Sequence, residues 1–122
     1  MKSAENHDIL IIGGGIGGLT MALSLHSDGI PCRVFEAASA FRPLGVGINM
    51  MPHAIRVLSS LGLEENLKRF GVEAKEFAYF NRHGQKIFTE PCGRFAGYEY
   101  SHFSIHRGDL HQVLHQAVLE RL

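Results

Sequence analysis

The chain has 122 residues, 45% of them hydrophobic, and its 12 lysine and arginine residues balance its 12 aspartate and glutamate residues. This length has room for one soluble globular domain, and the balanced charge, without a basic run, excludes the electrostatic surface that a nucleic-acid partner requires. The longest purely aliphatic stretch, residues 9–12, is too short to span a membrane or to form a signal peptide, so we expect a cytoplasmic chain.

The first part of the chain predicts a βαβ unit. Residues 8–12 form an apolar run that ends at glycine, which is typical of a strand buried on both faces of a parallel sheet. Ile16–Ser27 predicts a helix that ends at Asp28-Gly29, and residues 32–36, which are rich in β-branched and aromatic side chains, predict a second strand. Strand, helix and strand within about thirty residues form a right-handed crossover unit.

Beyond this unit the sequence predicts shorter elements. Prolines, glycines and the spacing of apolar residues set their bounds. In chain order they are a loop over 37–47, helices over 52–61 and Glu64–Phe70, hairpin strands over 77–81 and 86–90, a loop over 91–101, a strand over 102–106 and an amphipathic helix from Asp109 onwards.

Five of the six residues from Gly13 to Gly18 are glycine, within the stretch IIGGGIGGLT. The spacing Gly13-x-Gly15-x-x-Gly18 follows a predicted strand and opens a predicted helix, and Glu36 lies 23 residues after Gly13 at the end of the second strand. This context is typical of dinucleotide binding: the first glycine permits a tight turn, the second lets a pyrophosphate approach the main chain, and the third lets helix and strand pack closely. A merely flexible glycine loop would not explain why strand, helix and acid all lie where the motif needs them.

The same pattern indicates how each part of a dinucleotide would be held. A diphosphate would meet unpaired N–H groups at the positive end of the helix dipole. Glu36 would accept hydrogen bonds from the hydroxyl groups of the adenosine ribose, and an acid at this position disfavours a 2′-phosphate. The pattern therefore argues against NADP in this pocket, whereas FAD and NAD share the fingerprint.

Segments further along the chain favour FAD. The continuation Gly18-x-x-x-Ala22, with Gly29 seven residues later, resembles the FAD version of the motif. The segments FRPLGVGIN (41–49), LSSLGL (58–63) and SIHRGDL (104–110) closely resemble the N-terminal part of the FAD-dependent aromatic hydroxylases, the p-hydroxybenzoate hydroxylase family. The resemblance covers essentially the whole chain, and RPLGVGIN and SIHRGDL are most similar to the phenazine monooxygenases of that family.

The resemblance implies an α/β fold that is the N-terminal, incomplete portion of a Rossmann-like FAD-binding domain, with the βαβ unit joined by helices and a β-hairpin. It implies that a glycine-containing loop skirts the flavin ring, that Arg42 lies on the cofactor side and that Arg107 reaches the ribityl-diphosphate part of FAD. The alternatives are a solvated loop charge for Arg42 and a surface charge at a helix start for Arg107. The expected cofactor-binding residues are Gly13, Gly15, Ile16, Gly17, Gly18, Glu36, Arg42, Gly45, Gly47 and Arg107.

The resemblance also implies an FAD-dependent monooxygenase that hydroxylates a small aromatic substrate with O2, with NADH or NADPH as a transient co-substrate. In such enzymes the cofactor carries the difficult chemistry and the protein places and shields it, so the catalytic residues are unknown. Family members are several times longer, so residues 1–122 are expected to be a partial FAD-binding domain, inactive alone, without the substrate domain and the downstream FAD motifs. A two-stranded sheet with one helix would leave apolar faces and an edge uncovered, which favours self-association or a complementing chain.

The remaining histidines and cysteines predict no metal or nucleophilic centre. Cys32 and Cys92 are 60 residues apart without a C-x-x-C pair, which favours two reduced structural thiols over a disulfide. His111 and His115 are one helical turn apart and could hold a metal, but no third ligand is near in the sequence. We therefore expect no metal, and we assign both histidines to the flank of the amphipathic helix.

The sequence leaves two other functions to compare with the monooxygenase. A non-catalytic module or partner subunit that binds an adenine dinucleotide is the alternative to the monooxygenase. An NAD-dependent dehydrogenase is disfavoured by the loop over 42–49, because such enzymes usually continue directly into a further βα unit.

The pair Gly108-Asp109 is assigned to the start of the last helix, where a negative charge is favoured, and not to the Gly-Asp motif that the family carries further downstream.

Overall fold

The computed structural model describes residues 8–42 and 45–122. The described residues form two compact units: the first runs to Arg42 and includes His111–Leu122, and the second runs from Gly45 to Leu110. In chain order the elements are β1 (Ile9–Ile12), α1 (Ile16–Ser27), β2 (Cys32–Phe35), β3 (Gly47–Met50), α2 (Pro52–Ser60), α3 (Glu64–Phe70), β4 (Val72–Glu73), β5 (Glu76–Phe80), β6 (Lys86–Pro91), a 3-10 helix (Gly93–Ala96), β7 (Phe103–His106) and α4 (Arg107–Arg121). The fold is α/β.

The first unit contains the predicted βαβ crossover. Strand β1 pairs in parallel with β2, in a register from Ile9 opposite Cys32 to Ile12 opposite Phe35. Helix α1 begins and ends at the predicted residues and buries an apolar stripe formed by Leu19, Ala22 and Leu23. The predicted βαβ unit is confirmed, and the turn between β1 and α1 lies at the carboxyl end of the first strand, where ligands bind in open α/β sheets.

Strand β1 is less buried than its apolar sequence predicts. Leu10 is 60% exposed and Ile12 is 83% exposed, although α1 packs against the sheet. The sheet has two strands, and one crossover helix does not cover the apolar side chains that two parallel strands carry. The expected burial of this strand on both faces is therefore wrong for the described residues, whereas the expected uncovered apolar surface is present.

The second unit is built on a three-stranded antiparallel sheet in the order β3-β7-β4. Helices α2 and α3 bury Ile55, Leu58 and Leu67, and α3 packs against β7. The sequence predicted β7 but neither neighbour: β3 occupies the end of the predicted loop over 37–47 and the residues after it, and β4 has two residues. The prediction missed them because Gly-Ile-Asn-Met has little strand propensity and β4 is too short to show alternation.

A β-hairpin completes the second unit, as predicted. Strands β5 and β6 pair antiparallel, and the rings of Tyr79 and Phe88 stack with centroids 4.9 Å apart. Asn81 closes the turn, since its side-chain oxygen accepts hydrogen bonds from the N–H groups of His83 and Gln85. The predicted loop over 91–101 contains the short 3-10 helix, whose Arg94 forms a bidentate ion pair with Glu73 on β4.

Helix α4 begins at Arg107, two residues before the predicted start, so that Asp109 lies in its first turn. The sequence predicts an apolar stripe of Leu110, Val113, Leu114, Ala117 and Val118 on this helix, and all of these side chains except the half-buried Val118 are buried. Gly108-Asp109 therefore belongs to a helix start, as expected. None of the helices in the described part of the chain is long and apolar enough to cross a membrane.

Candidate cofactor-binding site

Two glycines let the chain turn from β1 into α1. Gly13 has φ +108°, a backbone conformation that residues other than glycine rarely adopt. Its N–H donates to the Phe35 carbonyl oxygen at 2.7 Å. A Cβ atom at Gly18 would overlap the carbonyl oxygen of Gly13. The tight turn and the close packing that the motif requires at its first and third glycines are therefore both present.

The second glycine of the motif leaves the start of α1 open. Gly15 is the N-cap residue, no side chain caps the helix, and a Cβ atom at either Gly15 or Gly17 would meet nothing within 4 Å. The first intrahelical bond runs from the Leu19 N–H to the Gly15 carbonyl at 3.0 Å. The N–H groups before Leu19 have no intrahelical acceptor, so the bare backbone forms a cradle that fits an anionic group such as a diphosphate.

Glu36 lies against this loop immediately after β2. Its Oε2 accepts the Gly14 N–H at 2.7 Å, and its Oε1 accepts the Ala38 N–H at 2.9 Å. These hydrogen bonds, the one from Ala38 first, lower the pKa of the Glu36 carboxyl below its ordinary value. The carboxylate is therefore ionised at neutral pH, and its remaining lone pairs can accept hydrogen bonds from hydroxyl groups.

The structure adds His111 to the loop, which the sequence interpretation assigned only to a helix flank. Its Nε2 lies 2.7 Å from the carbonyl oxygen of Gly14, 97 residues away in the chain. Its ring packs edge-on against Phe41 with centroids 4.2 Å apart, and His115 packs on the same phenylalanine at 4.8 Å. No local pattern can show a contact over such a separation.

Within residues 8–42 and 45–122, no group of three or more His, Cys, Asp or Glu side chains is placed to hold a metal.

The other predicted cofactor residues are divided between the two units. Arg42 is exposed at the end of the first described segment. Gly45, Gly47 and Arg107 belong to the second unit, in which the backbone N–H of Arg107 donates to the Val46 carbonyl at 2.9 Å. This hydrogen bond joins the loop before β3 to the start of α4. Pro43 and Leu44 of the predicted motif lie outside the described residues.

A cavity in the second unit was not predicted from the sequence. Its volume is about 670 Å³, and its wall includes the aromatic residues Phe77, Tyr98 and Tyr100. His102 also lines it, is 2% exposed and packs edge-on against Phe77, and its Nε2 has no hydrogen-bond partner among the described residues. The lining of this cavity thus combines aromatic side chains with a buried imidazole.

Comparison with known proteins agrees with the resemblance found in the sequence. The family model described as FAD binding domain matches residues 6–121. Phenazine 1,6-dicarboxylic acid hydroxylase PhzS of Lysobacter antibioticus is 48% identical to the chain over 100% of its length, which is 30% of that protein. The chain thus spans about 30% of the length of this curated relative.

Solved structures show the same fold. The crystal structure of p-nitrophenol 4-monooxygenase PnpA from Pseudomonas putida DLL-E4 superposes with a TM-score of 0.84 at 23% identity, over 94% of this chain and 30% of that one. Klebsiella pneumoniae R204Q HpxO complexed with FAD superposes with a TM-score of 0.75 at 25% identity, over 89% of this chain and 28% of that one. The family model, the curated relative and the shared fold agree with one another, and the chain belongs to the family of FAD binding domains found in aromatic monooxygenases.

Proposed function

We propose that this chain binds FAD through its glycine loop, as part of a flavoprotein monooxygenase that hydroxylates a small aromatic substrate with NAD(P)H and O2. The observation that carries the proposal is the bare start of α1, where a Cβ atom at Gly15 would meet nothing within 4 Å and no side chain caps the helix. An uncapped helix start with open space in front of it is a binding site for an anion.

The glycine loop and Glu36 would hold the two ends of the ADP part of FAD. The backbone from Gly13 to Gly18, with Ile16 and Gly17 in the first turn of α1, would donate hydrogen bonds to the diphosphate. The ionised Glu36 carboxylate, already fixed by two backbone N–H groups, would accept hydrogen bonds from the ribose hydroxyls. These are binding and orienting roles, and we assign no residue of this chain to the reaction itself.

The remaining expected residues would contact the rest of the cofactor. We assign Arg42 to the cofactor side of the loop and Arg107 to the ribityl-diphosphate part, while Gly45 and Gly47 would leave a wall without bulky side chains for the flavin ring. The contact between the Arg107 N–H and the Val46 carbonyl supports this grouping, because it holds the loop and the arginine together within one unit.

The activity belongs to the whole protein, since the chain spans about 30% of its curated relative. When bound, FAD supplies the redox and oxygen chemistry. The 48% identity to a phenazine dicarboxylic acid hydroxylase supports an aromatic substrate. The aromatic side chains that line the cavity beside His102 also support an aromatic guest, because aromatic rings pack favourably on one another. A cytoplasmic location, the absence of nucleic-acid and membrane partners, the choice between NADH and NADPH, and self-association or a complementing chain stay predictions.

Gly15→Val tests the proposal. Because a Cβ atom at Gly15 meets nothing and the residue has an extended backbone (φ −75°, ψ −177°), valine should leave the fold intact while it blocks the diphosphate. The purified chain is titrated with FAD and with ADP, and binding is followed by the quenching of flavin fluorescence and by calorimetry. We expect the wild type to bind both and Gly15→Val to bind neither.

Met21→Val is the matched control, because Met21 is 53% exposed on the same helix beyond its first turn. We expect this variant to bind like the wild type. Equal affinities of the wild type and Gly15→Val would overturn the proposed site. Binding of ADP without any binding of FAD would favour the alternative, a non-catalytic adenine-dinucleotide module.

A further inference from the structure

The backbone of Gly14 is hydrogen-bonded at both of its polar groups. Its N–H donates to Oε2 of Glu36 at 2.7 Å, and its carbonyl oxygen lies 2.7 Å from Nε2 of His111. A Cβ atom at Gly14 would lie 3.1 Å from the Phe41 ring and 3.2 Å from Cβ of Glu36, so the residue is also tightly enclosed. The middle of the glycine loop is therefore held by side chains from two other segments of the first unit.

The bond from His111 sets the direction of the next N–H group. In a trans peptide the carbonyl of one residue and the N–H of the next lie in one plane and point in opposite directions. Since the Gly14 carbonyl points at His111, the Gly15 N–H points away from it. No acceptor for that N–H lies within hydrogen-bonding distance among the described residues, and the space beside Gly15 is open.

We propose that His111 is a positioning residue for the dinucleotide: its Nε2–H donates to the Gly14 carbonyl and thereby holds the Gly15 N–H toward the bound diphosphate. This inference rests on the proposed function of the glycine loop. It requires the ring to carry a proton on Nε2, because the carbonyl oxygen can only accept. Without this hydrogen bond, the loop would have to become ordered in this orientation when the ligand binds. The cost of that ordering would weaken the affinity, although no direct contact with the ligand is removed.

A packing role for His111 is the competing explanation, and the chain supplies a control for it. His115 lies one turn further along α4 and packs on the same Phe41 ring, with centroids 4.8 Å apart. Its ring makes no hydrogen bond to the glycine loop. His115→Phe makes the same ring exchange beside Phe41 without removing a hydrogen bond to the loop, and thus measures the effect of the ring exchange alone.

Three variants separate the two roles. His111→Phe keeps a ring against Phe41 and removes the donor, His111→Gln keeps a donor and removes the ring, and His115→Phe changes only the neighbouring ring. The purified chain and each variant are titrated with FAD and with ADP, and thermal unfolding without ligand is recorded for each. We expect His111→Phe to weaken both affinities by about fivefold or more, the loss typical of one hydrogen bond. His111→Gln should restore most of the affinity, and His115→Phe should bind like the wild type.

A measurement on the wild type does not depend on how the variants fold. Nitrogen NMR of the histidine rings distinguishes the two neutral tautomers, and we expect His111 to carry its proton on Nε2 and the Gly15 amide signal to shift when ADP is added. A proton on Nδ1 alone, or full affinity of His111→Phe for both ligands, would overturn the inference. Failure of the wild type to bind either ligand would instead overturn the proposed function.

Discussion

Gly18→Ala tests the packing of the glycine loop most directly. The added methyl group would overlap the carbonyl oxygen of Gly13 and would lie 3.3 Å from the side chain of Ile11. The oxygen is part of the backbone, and its residue is tied to β2 by the bond from the Gly13 N–H to the Phe35 carbonyl at 2.7 Å. Relief of the overlap therefore has to move the turn against a hydrogen bond that holds it.

The expected loss of stability follows from two opposing effects. An extra methyl group in a well-packed site typically costs about 1–3 kcal/mol. Alanine is better than glycine inside a helix by about 0.5–1 kcal/mol, and Gly18 lies in the first turn of α1. The overlap is with backbone and cannot be relieved by rotating a side chain, so we expect the unfavourable effect to prevail, with a net loss of about 1–2 kcal/mol in the free energy of unfolding.

Gly17→Ala is the matched control, because it adds the same methyl group one residue earlier in the same helix, where nothing lies within 4 Å. Urea unfolding without nucleotide, followed by circular dichroism, should show Gly17→Ala as stable as the wild type or more stable by about 0.5–1 kcal/mol. If Gly18→Ala proves as stable as Gly17→Ala, the Gly13 carbonyl does not lie against α1 and the stated role of the third glycine is refuted.

Three further predictions concern the core, the loop acid and the thiols. Leu67→Ala should lower the free energy of unfolding, measured in urea, by about 2–5 kcal/mol because Leu67 is fully buried. Ile87→Ala, at a side chain that is 67% exposed, should change it by less than about 0.5 kcal/mol. Similar losses in the two variants would contradict the burial of Leu67 in the core. The pKa of Glu36 is lowered in the folded chain, so its contribution to stability is complete above the ordinary value of 4.5 and is lost as the pH falls through the lowered value. Unfolding at neutral pH and at about pH 3 should show a difference between the wild type and Glu36→Gln that shrinks in acid, and a constant difference would refute this. Cys92 is 7% exposed and burial raises the pKa of its thiol, so iodoacetamide should label it more slowly than Cys32 by mass spectrometry; equal rates would rule this out.

The sequence predicted the elements in which local pattern and tertiary environment agree. Helix α1 has its bounds as expected because the glycine motif precedes it and Asp28-Gly29 ends it. The hairpin could be predicted because two runs with aromatic or β-branched residues flank a polar turn with a glycine. In both cases the signal lies within a few residues of the element itself.

The elements that were missed depend on contacts distant in sequence. Strand β3 forms because Gly47–Met50 pairs with β7, more than fifty residues later, and β4 forms as a short edge on the same strand. Each segment has only one β-branched side chain, Ile48 in β3 and Val72 in β4, and neither shows the alternation that marks a strand. The contact of His111 with the glycine loop was missed for the same reason, since its partner Gly14 is 97 residues away.

The two backbone bonds to Glu36 also bear on how tightly the proposed site would bind a ribose. A surface glutamate normally samples many rotamers, and a ligand that needs one of them must immobilise the side chain on arrival. Here that loss of freedom takes place during folding, because Gly14 and Ala38 hold the carboxylate beforehand. A nucleoside bound as proposed would therefore meet a carboxylate that is already in place, and less of its binding free energy would be lost in ordering this side chain.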